Sequence, residues 1–466
     1  MDSFKSGSAI SVIMNDLLLN RLVCPECKSS MTSKSDFYIC IGCSQTFPTL
    51  EGMPWLMAHP GPSLGEWKDQ FKFLLFSLDR DVEEIKRDLH LPDLMASTLK
   101  RLRKHLQAKV EQRKLLHELL APLNMSDAGS YELSMAMKAK LPRSQTLLGY
   151  YNNIHRDWCW GDDENLEGLA CIKDLIGEKR ELGRLLVAGA GNCRLLYDVA
   201  ENYHPSLVVG VDINPLLFLA AKKILMGKTV RLYEFPIAPM DMESYFALRK
   251  CRAPKKYSGE LELIFADTMN LPFQPASFDT VLTPWLIDII PETPDTFFPK
   301  LNQMLEIGGR WLNFGSLVYD YKNPAKDYSK EEVLELIEKS GFEVEFQFTR
   351  KIPYMQSPLS HHGRLESVFC FSAKKVREIE EPIVAFKTLP PWLQNSELPI
   401  PDLPEFQTLK NIYKIHLEVL ESIDAKTSMT QIAKVFEGKY GLTPTEAHDS
   451  IMKYLVKTFQ EFKAGR

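Results

Sequence analysis

The chain has 466 residues, 45% hydrophobic and 25% charged, enough apolar material for two or three cores at roughly 150 residues per domain, which excludes a disordered or collagen-like chain. A formal net charge of -5 supplies no global field for nucleic acid, and no run approaches the ~18 consecutive apolar residues of a membrane helix. The nine cysteines are odd in number and sit in a chain too long for a small disulfide scaffold. With no signal peptide at the start, they point to a reducing cytoplasm.

In chain order, MDSFKSGSAISVIMNDLLLNRL reads as a short amphipathic helix. Residues 1–60 then form a small cysteine-bearing module with short strands. Cys24-x2-Cys27 and Cys40-x2-Cys43 are two close pairs separated by twelve residues, spacing that brings four thiolates to one tetrahedral, closed, structural Zn²⁺. Two disulfides or an Fe–S centre are the alternatives. Residues 61–149 are a helical region: EWKDQFKFLLFSLDRDVEEIKRDL and MASTLKRLRKHLQAKVEQRKLLHELLAPL both place apolar residues at spacings of three and four. The Lys and Arg of the second stretch are read as a solvated face.

From about residue 165 helices and apolar strands alternate. Expected elements are helix 166–176, strand 184–191, helix 193–202, strand 206–212, helix 215–226, strands 261–266, 278–283 and 309–314, helix 330–340, and strands near 343–349 and 367–373. This alternation predicts an α/β domain with a mainly parallel sheet covered by helices on both faces. A proline-rich linker (376–404, with Pro390-Pro391) leads to a small helical domain at 405–466. There, Ser428 before Gln431 and Thr443-Pro444-Thr445-Glu446 mark helix starts by their capping chemistry.

The first strand of the α/β region runs into Ala188-Gly189-Ala190-Gly191-Asn192-Cys193-Arg194. Glycines there allow a tight turn and close approach of a cofactor. Alone, the motif is weak: a dinucleotide site wants a third glycine where Arg194 stands, and the usual methyltransferase Gly-x-Gly-x-Gly is broken by Cys193. The second strand ends in Asp212, 23 residues after Gly189, where a carboxylate can accept both ribose hydroxyls of a nucleoside.

Three resemblances extend this reading. The segment LVCPECKSSM…YICIGCSQTFPTLEGMPWLM, with Phe47, Pro48, Gly52 and Pro54, resembles the Trm112-like zinc ribbon, a module that activates methyltransferases or is fused to them. The ordered series Ala266-Asp267-Thr268-Met269-Asn270-Leu271-Pro272-Phe273, Ser277-Phe278-Asp279-Thr280-Val281 and Leu305…Gly308-Gly309 resembles class I S-adenosylmethionine methyltransferases, which implies a Rossmann-like sheet with Asp267 at the adenine amino group. Asn153-Ile154-His155-Arg156-Asp157-Trp158, with Gly161 and Glu164, resembles the Gln-Phe-Val-Arg-Asp-Trp segment of the carnosine N-methyltransferase family. So do the insertion 233–258, Leu286-Ile287-Asp288 and Trp311…Tyr319-Asp320, which together cover residues 150–375.

The last resemblance implies methyl transfer to an imidazole nitrogen of a histidine-containing small molecule or peptide. Asn153 and Arg156 fall on the family's clamp for the methionine carboxylate. With Gly189, Gly191, Arg194, Asp212, Ile213, Asp267 and Thr268 they make the expected cofactor-binding set. Asp288 matches the substrate-binding aspartate, and a carboxylate accepting the N–H of one imidazole nitrogen would fix the tautomer that leaves the other free to attack. Asp320, the second expected catalytic residue, stands where the family has histidine, which suggests a changed substrate. His361 and His362 are read as an exposed loop.

The C-terminal helices look like the PqqD-like fold that grips leader peptides, so the ribbon and this tail are candidate surfaces for a homodimer or a protein partner. The runner-up readings are a catalytically silent methyltransferase-like scaffold and a methyltransferase acting on another atom of a ribosomal peptide. Neither a membrane nor nucleic acid is expected as a partner.

Overall fold

The computed structural model describes residues 16–34, 36–125, 147–177, 181–319, 324–379, 392 and 397–464. The expected N-terminal amphipathic helix falls largely outside these residues, as do much of the proline-rich linker, the end of the helical region and Asp320. The chain forms two compact units, Met1–Pro382 and Ile383–Arg466.

Unit one begins with a helical turn (α1, Asp16–Leu19) and a small antiparallel sheet in the order β1-β2-β3-β4 (Met31–Lys34, Phe37–Cys40, Thr46–Leu50, Met53–Pro54). Two helices follow as a hairpin, α2 (Pro60–Asp88) and α3 (Ala96–Leu120). Lys109 Nζ to Asp81 (2.8 Å) and Arg113 Nε to Asp79 (2.5 Å) join them across their polar flanks. Their apolar stripes, among them Phe71, Leu75, Leu116 and Leu120, enter the same core as Tyr151, Ile154 and Phe218. Amphipathic spacing therefore served burial here.

The centre is a seven-stranded sheet of β5 (Arg184–Ala188), β6 (Leu207–Asp212), β9 (Leu261–Phe265), β10 (Phe278–Pro284), β11 (Leu305–Gly315), β12 (Phe342–Tyr354) and β13 (Arg364–Lys375). Their order is β12-β13-β11-β10-β5-β6-β9. The pairs from β11 through β9 are parallel, while β13 runs antiparallel to both β11 and β12. The strands read as apolar runs rather than alternations because helices cover both faces. Those helices are α4 (Leu147–His155), α5 (Asp162–Ile176), α6 (Arg194–Tyr203), α7 (Pro215–Leu225), α8 (Pro294–Met304) and α9 (Lys330–Lys339). A π-turn, Arg156–Trp160, joins α4 to α5. The α/β architecture is the Rossmann-like one.

Boundaries shift at the site. The first strand ends at Ala188 rather than running to Gly191, and the next helix starts at Arg194, with Cys193 in the left-handed region at φ 63°. The insertion after α7 is a two-stranded hairpin, β7 (Val230–Glu234) with β8 (Ala247–Cys251). Gln112 of α3 fastens it: its Nε2 donates to Tyr151 Oη (2.7 Å) and its Oε1 accepts the Tyr233 N–H (2.7 Å).

Unit two holds α10 (Pro404–Glu421), α11 (Met429–Tyr440) and α12 (Pro444–Ala464) around Val419, Ile432, Phe436 and Ile451. Ser428 and Gln431 form a capping box at α11, and Thr443 with Glu446 does the same for α12. Among the described residues no helix is long and apolar enough to cross a membrane.

Candidate active site

The C-terminal ends of β5, β6, β9 and β10 converge where the strand order reverses, the place where open α/β sheets bind ligands. After β5 the chain turns through Gly189 (φ 70°) and Gly191 (φ 56°), both left-handed, and a Cβ added at Gly191 would meet nothing within 4 Å. That backbone therefore faces open space wide enough for a ligand. Asp212, at the end of β6, accepts the Gly191 N–H on Oδ2 (2.8 Å) and the Asn214 N–H on Oδ1 (2.8 Å). Loss of surrounding water pushes its carboxyl up to about 6, against the pull of those backbone donors. Ile213 beside it is 45% exposed, an apolar surface next to a carboxylate.

Asp267 follows β9. One oxygen caps the next turn by accepting the Met269 N–H (2.8 Å), and burial raises its pKa. Thr268 is buried beside it. Asp212 and Asp267 thus end the neighbouring strands β6 and β9, at the same edge of the sheet as the glycine turn.

The π-turn carries Arg156 to this edge. Trp158 Nε1 donates to the Asn192 carbonyl (2.9 Å) in the glycine turn, which sets the turn's distance from β5. Arg156 pairs with Asp157 (Nε–Oδ1 2.8 Å) and Glu164 (Nη1–Oε1 3.1 Å). Burial works against its charge, and the two carboxylates more than offset this, so its pKa is raised. Glu164 also accepts the Met355 N–H (2.7 Å), tying the β12–β13 hairpin to the same cluster. Asn153, one turn before Arg156, is half-buried.

Arg194 has its guanidinium engaged within the protein. Expected at the cofactor, its guanidinium instead lies against Asp198 (2.9 Å), the Asp157 carbonyl (2.6 Å) and Asp162 (3.2 Å), over the Trp158 ring. The i,i+4 spacing of Arg194 and Asp198 was the available signal. Its role is to hold the π-turn against α6.

On the other side of β10, Asp288 is 7% exposed. Its Oδ2 accepts both Ser316 Oγ (2.6 Å) and the Val318 N–H (3.0 Å), and burial raises its pKa against these bonds. A carboxylate buried after a strand thus has identified partners, on the loop after β11. Trp285, which the sequence did not single out, occupies the left-handed region (φ 51°) at the end of β10, packed at 5.4 Å from Phe314 and 4.8 Å from Tyr354. A bulky residue held there signals a constrained site. His361 and His362 are exposed.

In the N-terminal module the four cysteine sulfurs lie within 4.8 Å of one another, with Cys24–Cys43 at 3.8 Å and Cys27–Cys40 at 3.3 Å. A tetrahedron with ~2.3 Å metal–sulfur arms has edges of about 3.8 Å, so the cluster has the size of a metal centre. The two knuckles match: Lys28 and Ser44 both take φ 60° and donate their N–H to Cys24 and Cys40 carbonyls. The module docks on the β9 edge. Trp55 pairs in parallel with Phe265, the Leu56 N–H donates to the Phe265 carbonyl (2.8 Å), and Val23 donates to Pro272 (2.9 Å). Asn270, three residues after Asp267, donates to the Pro25 carbonyl (2.9 Å) and accepts from Lys28 Nζ.

Residues 151–362 match the family model of carnosine N-methyltransferase. A curated carnosine N-methyltransferase from Dictyostelium discoideum is 26% identical over 200 residues, 39% of this chain and 42% of that protein, so the match spans under half the relative's length. Among solved structures, a SAM-dependent methyltransferase from Methanosarcina mazei aligns with TM-score 0.32 at 14% identity over 44% of this chain and 97% of that one. A Haemonchus contortus phosphoethanolamine N-methyltransferase bound to S-adenosylhomocysteine gives 0.33 at 15% identity, over 50% and 59%. Residues 151–362 thus resemble the carnosine N-methyltransferase family, and the four-cysteine module and C-terminal unit lie outside that match.

Proposed function

We propose that the chain transfers a methyl group from S-adenosylmethionine to an imidazole nitrogen of a histidine-containing small molecule or peptide. The observation that carries this is a buried carboxylate after β10, Asp288, facing the loop after β11 within the matched domain, whose β6 ends in Asp212 beside the glycine turn. When bound, the cofactor supplies a methyl group already activated on a sulfonium. Asp212 would accept the ribose hydroxyls, Asp267 the adenine amino group, and Arg156, with Asn153, would hold the carboxylate end. Gly191 leaves room for the approach.

On the acceptor side, Asp288 takes the N–H of the distal imidazole nitrogen. That contact would leave the near nitrogen's lone pair free toward the methyl group, which the cofactor would supply with its sulfur as the leaving group. Developing positive charge on the ring is stabilised by the same carboxylate. Asp320 lies outside the described residues and enters this reading only as the second acceptor-side carboxylate expected from sequence. The four cysteines would hold a closed structural zinc with no open position for chemistry.

The test is incubation with methyl-labelled cofactor and a panel of histidine derivatives and short peptides, with the product mapped by mass spectrometry. Label on a ring nitrogen is expected. Label confined to carboxylate or hydroxyl oxygen overturns the imidazole acceptor, and absence of cofactor binding by calorimetry overturns the whole reading.

A further inference from the structure

Away from the cleft, three soft donors that methyl transfer does not use meet in the interior. His155 ends α4, Cys159 lies one turn on in the π-turn, and Cys251 closes β8 of the inserted hairpin. Cys159 and Cys251 sulfurs are 2.8 Å apart, Cys251 Sγ is 3.8 Å from His155 Nδ1, and all three donor atoms lie within 4.8 Å of one another. His155 and Cys251 are fully buried, and Cys159 is half-buried.

Unbonded heavy atoms settle at roughly 3.5–4 Å, so the two sulfurs are in close contact, as a thiol hydrogen bond, a disulfide or, after some opening, a shared cation would have them. The imidazole decides between them. Among the described residues the buried ring has the Tyr233 backbone and the Tyr151 ring as neighbours, no other side chain satisfies its Nε2, and its Nδ1 faces Cys251 Sγ (3.8 Å). The family segment that this stretch resembles has valine there. A disulfide would use the sulfurs and leave the imidazole unexplained, whereas a metal engages all three groups.

We infer that His155, Cys159 and Cys251 form a second zinc site, separate from the four-cysteine centre. Arms of ~2.3 Å to sulfur and ~2.0 Å to nitrogen give a sulfur–nitrogen edge of about 3.6 Å, close to what is already in place. The sulfur–sulfur edge must open by about 1 Å to reach the same geometry, and Cys159 is the half-buried member of the three. Zn²⁺ enters as both thiols release their protons. Two thiolates and a neutral imidazole then balance the ion, so no net charge is added beside the Arg249–Glu234 pair (2.6 Å). The ion would bolt the turn carrying Arg156 to the inserted hairpin.

Metal analysis of the full chain, reconstituted with zinc and desalted, tests this. Two zinc ions per chain are expected, falling to one in Cys251→Ser and in Cys159→Ser, whose half-exposed position protects folding, while Cys24→Ser removes the other ion. Cobalt substitution should show sulfur-to-metal charge transfer reduced by Cys159→Ser in proportion to the lost thiolate. One zinc per wild-type chain, unchanged in Cys159→Ser, overturns the site. A 2 Da mass loss mapping a Cys159–Cys251 disulfide in a one-zinc chain overturns it as well.

Discussion

The two ends of the central sheet are finished in different ways. At one edge β9 is five residues long, parallel to its neighbour, and covered by Trp55 and Leu56 of the cysteine module. At the other, β12 and β13 run 13 and 12 residues, outreach the parallel strands, and fold a tip back so that Met355 meets Glu164. The short edge borrows its order from the segment that carries the four clustered cysteines. The long hairpin is stabilised by its own cross-strand ladder and needs no such help. The proposed nucleotide side of the cleft is thus tied to the module and the proposed acceptor side to the hairpin, and lesions at the two ends should separate into cofactor affinity and turnover.

Asp288→Asn offers the sharpest break. It should lower methyl transfer about 10²-fold or more, by loss of the charge that stabilises the imidazolium, while calorimetry shows cofactor affinity within about twofold of wild type. A matching loss of affinity would show that the two sides are not separable. Stripping zinc from the cysteine module should act the other way. Released from Val23 and Pro25, the Asp267–Phe273 segment loses its support, and cofactor Kd should rise by about tenfold, roughly 1.4 kcal/mol, with turnover at saturating cofactor nearly retained.

A pH series probes Asp212 alone. With the free carboxyl at about 6, a proton must leave before both ribose hydroxyls can be accepted, so cofactor affinity should fall as pH drops below that value and level off above it. Asp212→Asn should flatten the profile. The same raised pKa acts oppositely on the free protein. The folded state holds the proton more tightly than the unfolded chain, so this group's contribution to stability declines as pH rises from about 4 toward 6. Smallest is Cys193→Gly: relief of a left-handed backbone, about 1 kcal/mol, is offset by loss of a buried thiol, and melting temperature should move by only a few degrees. A larger drop would mean that Cys193 packing, not backbone strain, governs the glycine turn.

The parallel core was legible because strands covered on both faces must be apolar runs, and β5 and β6 are such runs. Asp212, Asp267 and Asp288 were legible because each ends or follows a strand. What stayed hidden depends on long-range contact. Arg194 looked like a cofactor residue by position along the chain, but helix geometry placed it over Asp198 and Trp158. The inserted hairpin was missed because β8, Ala-Leu-Arg-Lys-Cys, is mixed in polarity and takes its register from β7 and its anchorage from Gln112 of α3. Convergence of His155 and Cys159 with Cys251 has no periodicity to betray it, since 92 residues separate the two cysteines.

The bond from Leu56 to Phe265 bears on how molecules of this protein treat one another. An uncovered Leu261–Phe265 strand would offer unpaired backbone groups to any neighbouring chain, the usual seed of edge-to-edge aggregation. The cysteine module closes that template within its own molecule. With the proposed zinc in the module, colloidal behaviour would follow metal supply: a metal-starved population should clump through β9 before its parallel core has begun to melt.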